Sequence, residues 1–345
     1  MTDLKPNLDA HEAPPQELRD LFKRYQKLGQ PEIDLHDTLV DVNTSVPEKV
    51  KLISHLAGEK LSSSFSQLTG KTCTVDDKPV FAYNALPGLL ILPSLLPEHV
   101  QKVLLSLLLH RDLSDTRHKT NVHTHYHVPY RKDPAGVIGD VRSAGFSPAR
   151  NASLFSYSPS TEASFQPKDS AVHKPLSISK VLNRSLRWVT LGGQYDWTKK
   201  VYPDEEPPAF PPDIACLLED LFPHIKAQAA IVNFYTPGDT LSLHRDVSEE
   251  VNRPLVSLSI GCDCIFVIGI GQDPADRLVL RLRSGDVIYM SQEARFAWHG
   301  VPKILPNTCP PSLKNWPAEE GLYEDWRGWL SNKRVNLNVR QMYAE

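Results

Sequence analysis

The chain of 345 residues lacks any uninterrupted run of about 18 apolar residues, the length that a membrane-spanning helix needs. We therefore expect no membrane partner. Cysteine is scarce as well, and none of the five cysteines forms a CxxC pair, which argues against a disulfide framework or a zinc finger and favours a reducing compartment. The first residues are more acidic than basic, which argues against a secretory signal or an arginine-rich presequence.

The chain also lacks an overall excess of positive charge, since its formal net charge is −3. The charge is nevertheless uneven, because residues 116–200 hold 13 Lys and Arg against 5 Asp and Glu, a local net charge of +8. A local basic surface is typical of a protein that binds a polyanion. A solvated insert explains the same charge equally well, because Ser143–Ser179 is rich in Ser and Pro and predicts a long loop.

Hydrophobic patterning divides the chain into three segments. Residues 1–80 predict a partly helical or disordered extension with one amphipathic helix at 16–28, so we expect the folded part to begin near Phe81. Residues 81–228 predict helical support, with helices after Pro97 and Pro212, together with the Ser-rich insert. Residues 229–345 predict a β-rich core with short strands at 229–235, 255–260, 264–268, 278–282, 286–290 and 335–339. Closely spaced short strands favour a sandwich or jelly roll in an α+β fold.

The first chemical pattern is the pair His244 and Asp246. Side chains at i and i+2 on a strand share a face, so this pair offers an imidazole nitrogen and a carboxylate oxygen to one metal ion. His299 is the natural third ligand, and two histidines with one carboxylate leave open positions that suit non-haem Fe(II). Alone, such a pair is common and is more typical of a surface turn than of a metal site.

The second pattern is an alternating segment near the C-terminus. Arg334, Asn336 and Arg340 fall on one face of the predicted strand, with apolar residues on the other. A buried face of this kind favours a small dicarboxylate ligand, because arginine pairs with carboxylates through two bonds and stays charged when desolvated. Asn233 and Tyr235 share a face of an earlier strand and offer further donors to the same anion.

Four motifs, taken together, resemble AlkB-type Fe(II)- and 2-oxoglutarate-dependent dioxygenases over roughly residues 85–343, most closely the eukaryotic AlkB homologue one branch. They are Asn233-x-Tyr235-x-x-Gly238 followed by His244-x-Asp246-x-x-Glu249, then Ser284-Gly285-Asp286-Val287, then His299-Gly300, then Arg334-x-Asn336-x-x-x-Arg340-Gln341.

This resemblance implies a double-stranded β-helix in which His244, Asp246 and His299 are catalytic and hold Fe(II). It implies that Arg334 binds the distal carboxylate of 2-oxoglutarate, that Arg340 lies near the keto-acid end and Asp246, and that Asn233, Tyr235 and Asn336 support the co-substrate. It also implies that the segment before the core forms a nucleotide-recognition lid, in which Trp188 and Tyr195 stack on a flipped base. Ser248 stands where the bacterial repair enzyme has an acidic residue that reads the base, which weakens any transfer of that enzyme's substrate preference.

The expected activity is oxidative demethylation of N-methylated bases in tRNA or DNA, using O₂ and releasing formaldehyde, succinate and CO₂. Candidate substrates are 1-methyladenine, N6-methyladenine and methylated cytosine. The main alternative is a protein or histone hydroxylase or demethylase with the same iron centre. A binding module without turnover and a zinc hydrolase fit fewer of the residues. We expect a monomer in the cytoplasm and nucleus, with the mitochondrion as a further option.

Overall fold

The computed structural model describes residues 8–130, 153–161, 163–196, 201–271 and 273–344. Two sheets face each other across the core, a large sheet of eight strands and a small sheet of five, and a separate three-stranded sheet lies outside them. The strands are β1 (Leu39–Val40), β2 (Val50–Leu56), β3 (Lys78–Tyr83), β4 (Leu89–Leu92), β5 (Tyr126–His127), β6 (Ser164–Pro167), β7 (Leu176–Ser177), β8 (Trp188–Gly192), β9 (Ala229–Tyr235), β10 (Leu241–His244), β11 (Leu255–Gly261), β12 (Cys264–Gly269), β13 (Arg277–Leu282), β14 (Val287–Met290), β15 (Trp298–Ile304) and β16 (Arg334–Arg340).

The last eight strands are divided equally between the two sheets as in a jelly roll, with β9, β11, β14 and β16 in the large sheet and β10, β12, β13 and β15 in the small sheet. The large sheet has the order β2-β3-β4-β14-β11-β16-β9-β8, and the small sheet has the order β1-β13-β12-β15-β10. Every neighbouring pair from β9 to β16 is antiparallel. The predicted jelly-roll core is therefore confirmed, and each of the six predicted strands is present with ends that shift by at most one residue.

Six α-helices accompany the sheets within the described residues, and the first of them packs on the small sheet. They are α1 (Gln16–Lys27), α2 (Gln30–Asp34), α3 (Gly58–Thr69), α4 (Glu98–Ser106), α5 (Ile178–Lys180) and α6 (Pro212–Leu221). Both predicted supporting helices begin where a proline sets the first turn, since Pro97 precedes α4 and Pro212 is the first residue of α6. Helix α3 packs against α4 and α6. Every helix among the described residues is too short or too polar to span a bilayer.

The N-terminal segment is part of the folded core, which corrects the expectation that the folded part begins near Phe81. Leu18 and Tyr25 of α1 and the nearby Ile33 have no exposed surface and pack in one cluster with residues of β12 and β15. Strand β1 adds to the small sheet and β2 to the large sheet. The sequence showed the amphipathic helix but not its partner, because periodicity reveals an apolar face without saying what covers it. The three-segment division itself stays a prediction.

The Ser-rich insert is more ordered than a long loop over the part that is described. Strand β6 pairs with β5 on one side and with β7 on the other. Residues 143–152 and 162 of this insert lie outside the described residues.

Candidate active site

Three distant side chains converge between the two sheets at the end of β10. His244 is the last residue of β10 and stands directly opposite His299 of β15. Asp246 lies just beyond the strand, and its two carboxylate oxygens are 3.9 Å from His244 Nε2 and 3.7 Å from His299 Nε2. An ion bound at about 2.1 Å can join atoms up to about 4.2 Å apart, so the three side chains can hold one metal ion. They form the one group of this kind found among the described residues.

Backbone carbonyls orient both histidines for metal binding. His244 Nδ1 donates to the carbonyl of Ser242 at 3.0 Å, and His299 Nδ1 donates to the carbonyl of Ala297 at 3.0 Å. A carbonyl can only accept, so in each ring the proton lies on Nδ1 and the lone pair of Nε2 faces the centre. Burial, reinforced by His244, lowers the pKa of His299 to about 4, so this imidazole is neutral at physiological pH.

A buried ionic network also holds Asp246. Arg340 Nη1 lies 3.2 Å from Asp246 Oδ1 and 3.3 Å from Glu249 Oε1. Arg295 donates to Glu249 Oε2 at 2.8 Å and to the backbone carbonyl of Asp246 at 2.7 Å. Burial alone would raise the pKa of Asp246, but Arg340 and the two histidines outweigh it and hold that pKa below its ordinary range. Asp246 is therefore an ionised and positioned ligand.

A second buried cation lies at the other end of β16. Arg334 is 1% exposed, and within the described residues its guanidinium donates one hydrogen bond, from Nη2 to Ser259 Oγ at 2.9 Å. Its Nε and Nη1 are buried without a hydrogen-bond partner among the described residues, and so is the hydroxyl of Tyr235. The Arg334 guanidinium lies 5.5 Å from the centre of the Tyr235 ring. Buried polar groups without partners are costly, so these donors fit an anionic ligand that would accept from them.

The two predicted amides, Asn233 and Asn336, lie on the same face as Arg334 and Tyr235. Asn336 stands opposite Asn233 in the register of β16 and β9. Its amide nitrogen donates to Ser257 Oγ and to the carbonyl of Leu258, and its oxygen accepts from Asn338. Asn336 is thus fully engaged with protein, which favours a positioning role over direct contact with a ligand.

The two predicted stacking residues have different neighbours. Trp188 stands opposite Asn233 in β8 and lines a cavity of about 460 Å³ together with Asn233 and Tyr235. Tyr195 lies near the metal ligand Asp246, with its hydroxyl 3.3 Å from Oγ of Ser248, two residues further along the chain. Tyr202 packs edge-on against Tyr195, with 5.2 Å between the ring centres, and donates to Glu249. The structure therefore places one predicted aromatic residue in the cavity and the other next to the metal ligands.

Three functional neighbours were not found from the sequence. Glu249 occurred in the quoted motif without a role, and Arg295 and Tyr202 were not singled out. Arg295 lies in a 3₁₀ turn and Tyr202 in a loop. Neither segment has a periodicity that marks a buried residue, so a lone arginine or tyrosine there gives no signal. The one available signal was Glu249, a carboxylate three residues after Asp246 that could have indicated a buried cation beside it.

The donor set fits Fe(II) and a keto-diacid. Two imidazoles and one carboxylate match the ligands that leave positions open on non-haem iron. The unpartnered donors of Arg334 and Tyr235 match the carboxylate oxygens of a small diacid.

Comparison with known proteins agrees with this chemistry. Residues 141–340 match the model of the 2OG-Fe(II) oxygenase superfamily. The chain is 51% identical to the N6-methyladenosine RNA demethylase ALKB1 of Pyricularia oryzae, over 97% of this chain and 98% of the relative. It is 55% identical to the N6-methyladenosine RNA demethylase ALKBH of Cryphonectria parasitica, over 64% of this chain and 99% of the relative. It is 39% identical to the tRNA demethylase abh1 of Schizosaccharomyces pombe, over 82% and 89%.

Proposed function

Because the chain belongs to the AlkB-like members of the 2OG-Fe(II) oxygenase superfamily, we propose that it oxidatively removes N-methyl groups from bases in nucleic acid. Membership confirms the resemblance drawn from the four motifs, the dioxygenase class, and Fe(II), 2-oxoglutarate and O₂ as its cofactors. N6-methyladenine in RNA is the substrate to test first, because two of the relatives carry that activity in their names.

The proposal is carried by the unpartnered donors of Arg334 and Tyr235, which lie in the same barrel as the histidine and carboxylate cluster. In the proposed complex His244, Asp246 and His299 hold Fe(II), and Arg334 and Tyr235 bind the distal carboxylate of 2-oxoglutarate. Asn233 and Asn336 keep this face polar. Fe(II) held by these three residues would supply the oxidative decarboxylation of 2-oxoglutarate by O₂ that is coupled to hydroxylation of the N-methyl group, and the resulting hydroxymethyl group would leave the base as formaldehyde.

Arg340 and Glu249 perform the positioning. Arg340 keeps the Asp246 carboxylate ionised and fixed, and Glu249 holds Arg340 in place through a bond that water does not reach, since Glu249 is 2% exposed. The protein thus contributes orientation and exclusion of water, while the cofactor contributes the reactive chemistry.

The substrate base binds between the cavity that Trp188 lines and the three metal ligands. Trp188 and Tyr195 provide the stacking surfaces, and the lid to which they belong is part of residues 81–228, which precede the core. Asn121 supports this arrangement, because its side-chain oxygen accepts from the backbone nitrogens of Arg187 (2.8 Å) and Trp188 (3.4 Å). Since the target base must leave its stack to reach the iron, single-stranded or loop nucleic acid is the preferred form.

The test is demethylation of methylated oligonucleotides by the purified chain with Fe(II) and 2-oxoglutarate. We expect release of formaldehyde and of the unmodified base, with N6-methyladenine in RNA among the substrates. Trp188→Ala and Tyr195→Ala should each reduce turnover by a factor of about 5 to 150, because one stacking contact contributes roughly 1–3 kcal/mol. Trp188→Phe and Tyr195→Phe keep a ring and should retain most of the activity.

Metal content, measured for every variant, shows whether the iron centre is intact. If no methylated oligonucleotide is demethylated while methylated or unmodified peptides are oxidised, the proposal is wrong and the protein-hydroxylase alternative replaces it.

A further inference from the structure

An ion pair lies at the wall of the cavity that holds Trp188. The Arg187 guanidinium contacts the carboxylate of Asp239, and both residues line the same cavity of about 460 Å³. The Arg187 side chain is 48% exposed and the Asp239 side chain 20% exposed. A pair with one side in solvent contributes little to stability, so its members can exchange partners at a small cost.

The backbone of Arg187 is fixed on both sides, whereas its side chain reaches into solvent. The Arg187 nitrogen donates to Asn121 Oδ1 at 2.8 Å, and its carbonyl accepts from the backbone nitrogen of Phe234 at 2.8 Å. Asp239 is held independently of Arg187, because its Oδ2 accepts from the Thr236 nitrogen at 2.7 Å. Separation of the pair therefore requires only a rotation of the Arg187 side chain.

Positive charge exceeds negative charge around this pair. Arg184 is exposed one turn before Arg187, and Lys333 is buried below with its amine 2.8 Å from the carbonyl of Asn183. Burial lowers the pKa of Lys333 to about 8, while Asp239 raises it and Arg184 and Arg187 lower it, which places all four groups within one electrostatic environment. One carboxylate thus faces three basic side chains, and an incoming anion would improve the balance.

We propose that Arg187 binds a backbone phosphate of the nucleic acid whose base stacks on Trp188, and that Asp239 occupies the guanidinium until the phosphate replaces it. This inference rests on the proposed function, because it takes nucleic acid as the ligand. Arg187 adjoins Trp188 in the chain and lines the same cavity, so the phosphate of a nucleotide stacked there lies within its reach. The planar guanidinium can offer a phosphate two parallel bonds.

The experiment measures binding of a short fluorescent single-stranded RNA to the full chain by anisotropy over a range of salt concentrations. Mn(II) replaces iron so that no turnover occurs. Arg187→Gln should weaken binding about fivefold, the equivalent of an exposed ion pair of about 1 kcal/mol. The slope of log affinity against log salt should fall by about 0.7, the value for one phosphate on a single strand.

Asp239→Asn is the decisive second variant. An asparagine oxygen can still accept from the Thr236 nitrogen, so the turn is kept while the competitor of the phosphate is removed. We expect this variant to bind RNA up to about fivefold more tightly. The matched controls are Arg327→Gln and Glu324→Gln, because these residues form an exposed ion pair that does not line this cavity. Both controls should bind as the wild type does.

Unchanged binding by Arg187→Gln, or a loss equal to that of Arg327→Gln, would overturn the inference, as would failure of Asp239→Asn to bind more tightly. Formaldehyde release by the wild type is measured in parallel with methylated RNA. Binding needs no turnover, so an inactive wild type would count against the proposed function and leave the phosphate result to be judged on its own.

Discussion

Replacement of Arg334 by methionine should make the ligand-free protein more stable. Arg334 is fully buried and forms no ion pair within the described residues, and two of its nitrogens have no acceptor. Removing an unpaired buried cation should raise the free energy of unfolding by about 2 kcal/mol, after allowance for the lost bond to Ser259. At about 0.7 kcal/mol per degree for a chain of this length, the melting temperature should rise by about 3 °C.

The same substitution should abolish the response to 2-oxoglutarate. With Mn(II) present and 2-oxoglutarate at 100 times its dissociation constant, the wild type should gain about 2.7 kcal/mol, or about 4 °C. Loss of two charge-assisted hydrogen bonds, at about 1.5–3 kcal/mol each, would weaken binding at least a hundredfold. The variant should therefore shift by less than about 1 °C under the same conditions.

Differential scanning fluorimetry measures both quantities, and Arg295→Met is the matched control. Arg295 is equally buried, but its guanidinium is fully partnered by Glu249 and two backbone carbonyls. Its loss should destabilise the protein by about 3–5 kcal/mol, because a buried carboxylate loses its partner. If Arg334→Met also lowers the melting temperature, or keeps the full response to 2-oxoglutarate, Arg334 is a structural residue and our reasoning fails.

Three further predictions follow from packing and burial. Gly300→Ala would place a Cβ 2.8 Å from the carbonyl oxygen of Leu241, which should push β10 away from β15. The substitution should destabilise the fold by about 1–3 kcal/mol and weaken Mn(II) binding in a titration. Unchanged affinity for Mn(II) would contradict this prediction. Leu18→Ala should reduce stability in urea by about 2–5 kcal/mol, whereas Leu35→Ala at an 83% exposed position should not; equal effects would mean that α1 is not part of the core. Burial lowers the pKa of His110 from 6.5 to about 4. Its contribution of about 3 kcal/mol to the free energy of unfolding is therefore present above pH 6.5 and lost as the pH falls toward 4. His110→Gln should flatten this part of the plot of stability against pH, and an unchanged plot would assign the dependence to other groups.

The alternation of side chains explains why much of the core could be predicted. Strands such as β9 and β16 are buried on both faces, and a period of two in the sequence placed Arg334, Asn336 and Arg340 on one side before any register was known. The same period put His244 and Asp246 on one face, although Asp246 lies beyond the end of β10. The placement of His299, the second residue of β15, came from the motif and not from the period.

Residues that act through tertiary contacts were not predictable in this way. Arg295 and Glu249 come from separate loops, and each is recognisable only once the other is seen beside it. The packing of α1 on the small sheet was missed because the apolar face of a helix of 12 residues does not show which element it packs against. The Ser284-Gly285-Asp286 motif is, by contrast, a local feature, since it forms a turn in which Gly285 has a φ of +90°. Asp286 accepts from the backbone nitrogens of Ser94 and Arg283.

The position of β10 at the outer edge of the small sheet has a consequence for metal retention. This strand is four residues long and is hydrogen-bonded to β15 alone, yet it carries one of the two histidines. An ion shared by His244 and His299 would join the border strand to its neighbour as a cross-link does, so fraying of that border and escape of the metal would be one event. Depletion of iron would then leave a short unpaired ribbon, the kind of element at which proteins begin to associate with one another.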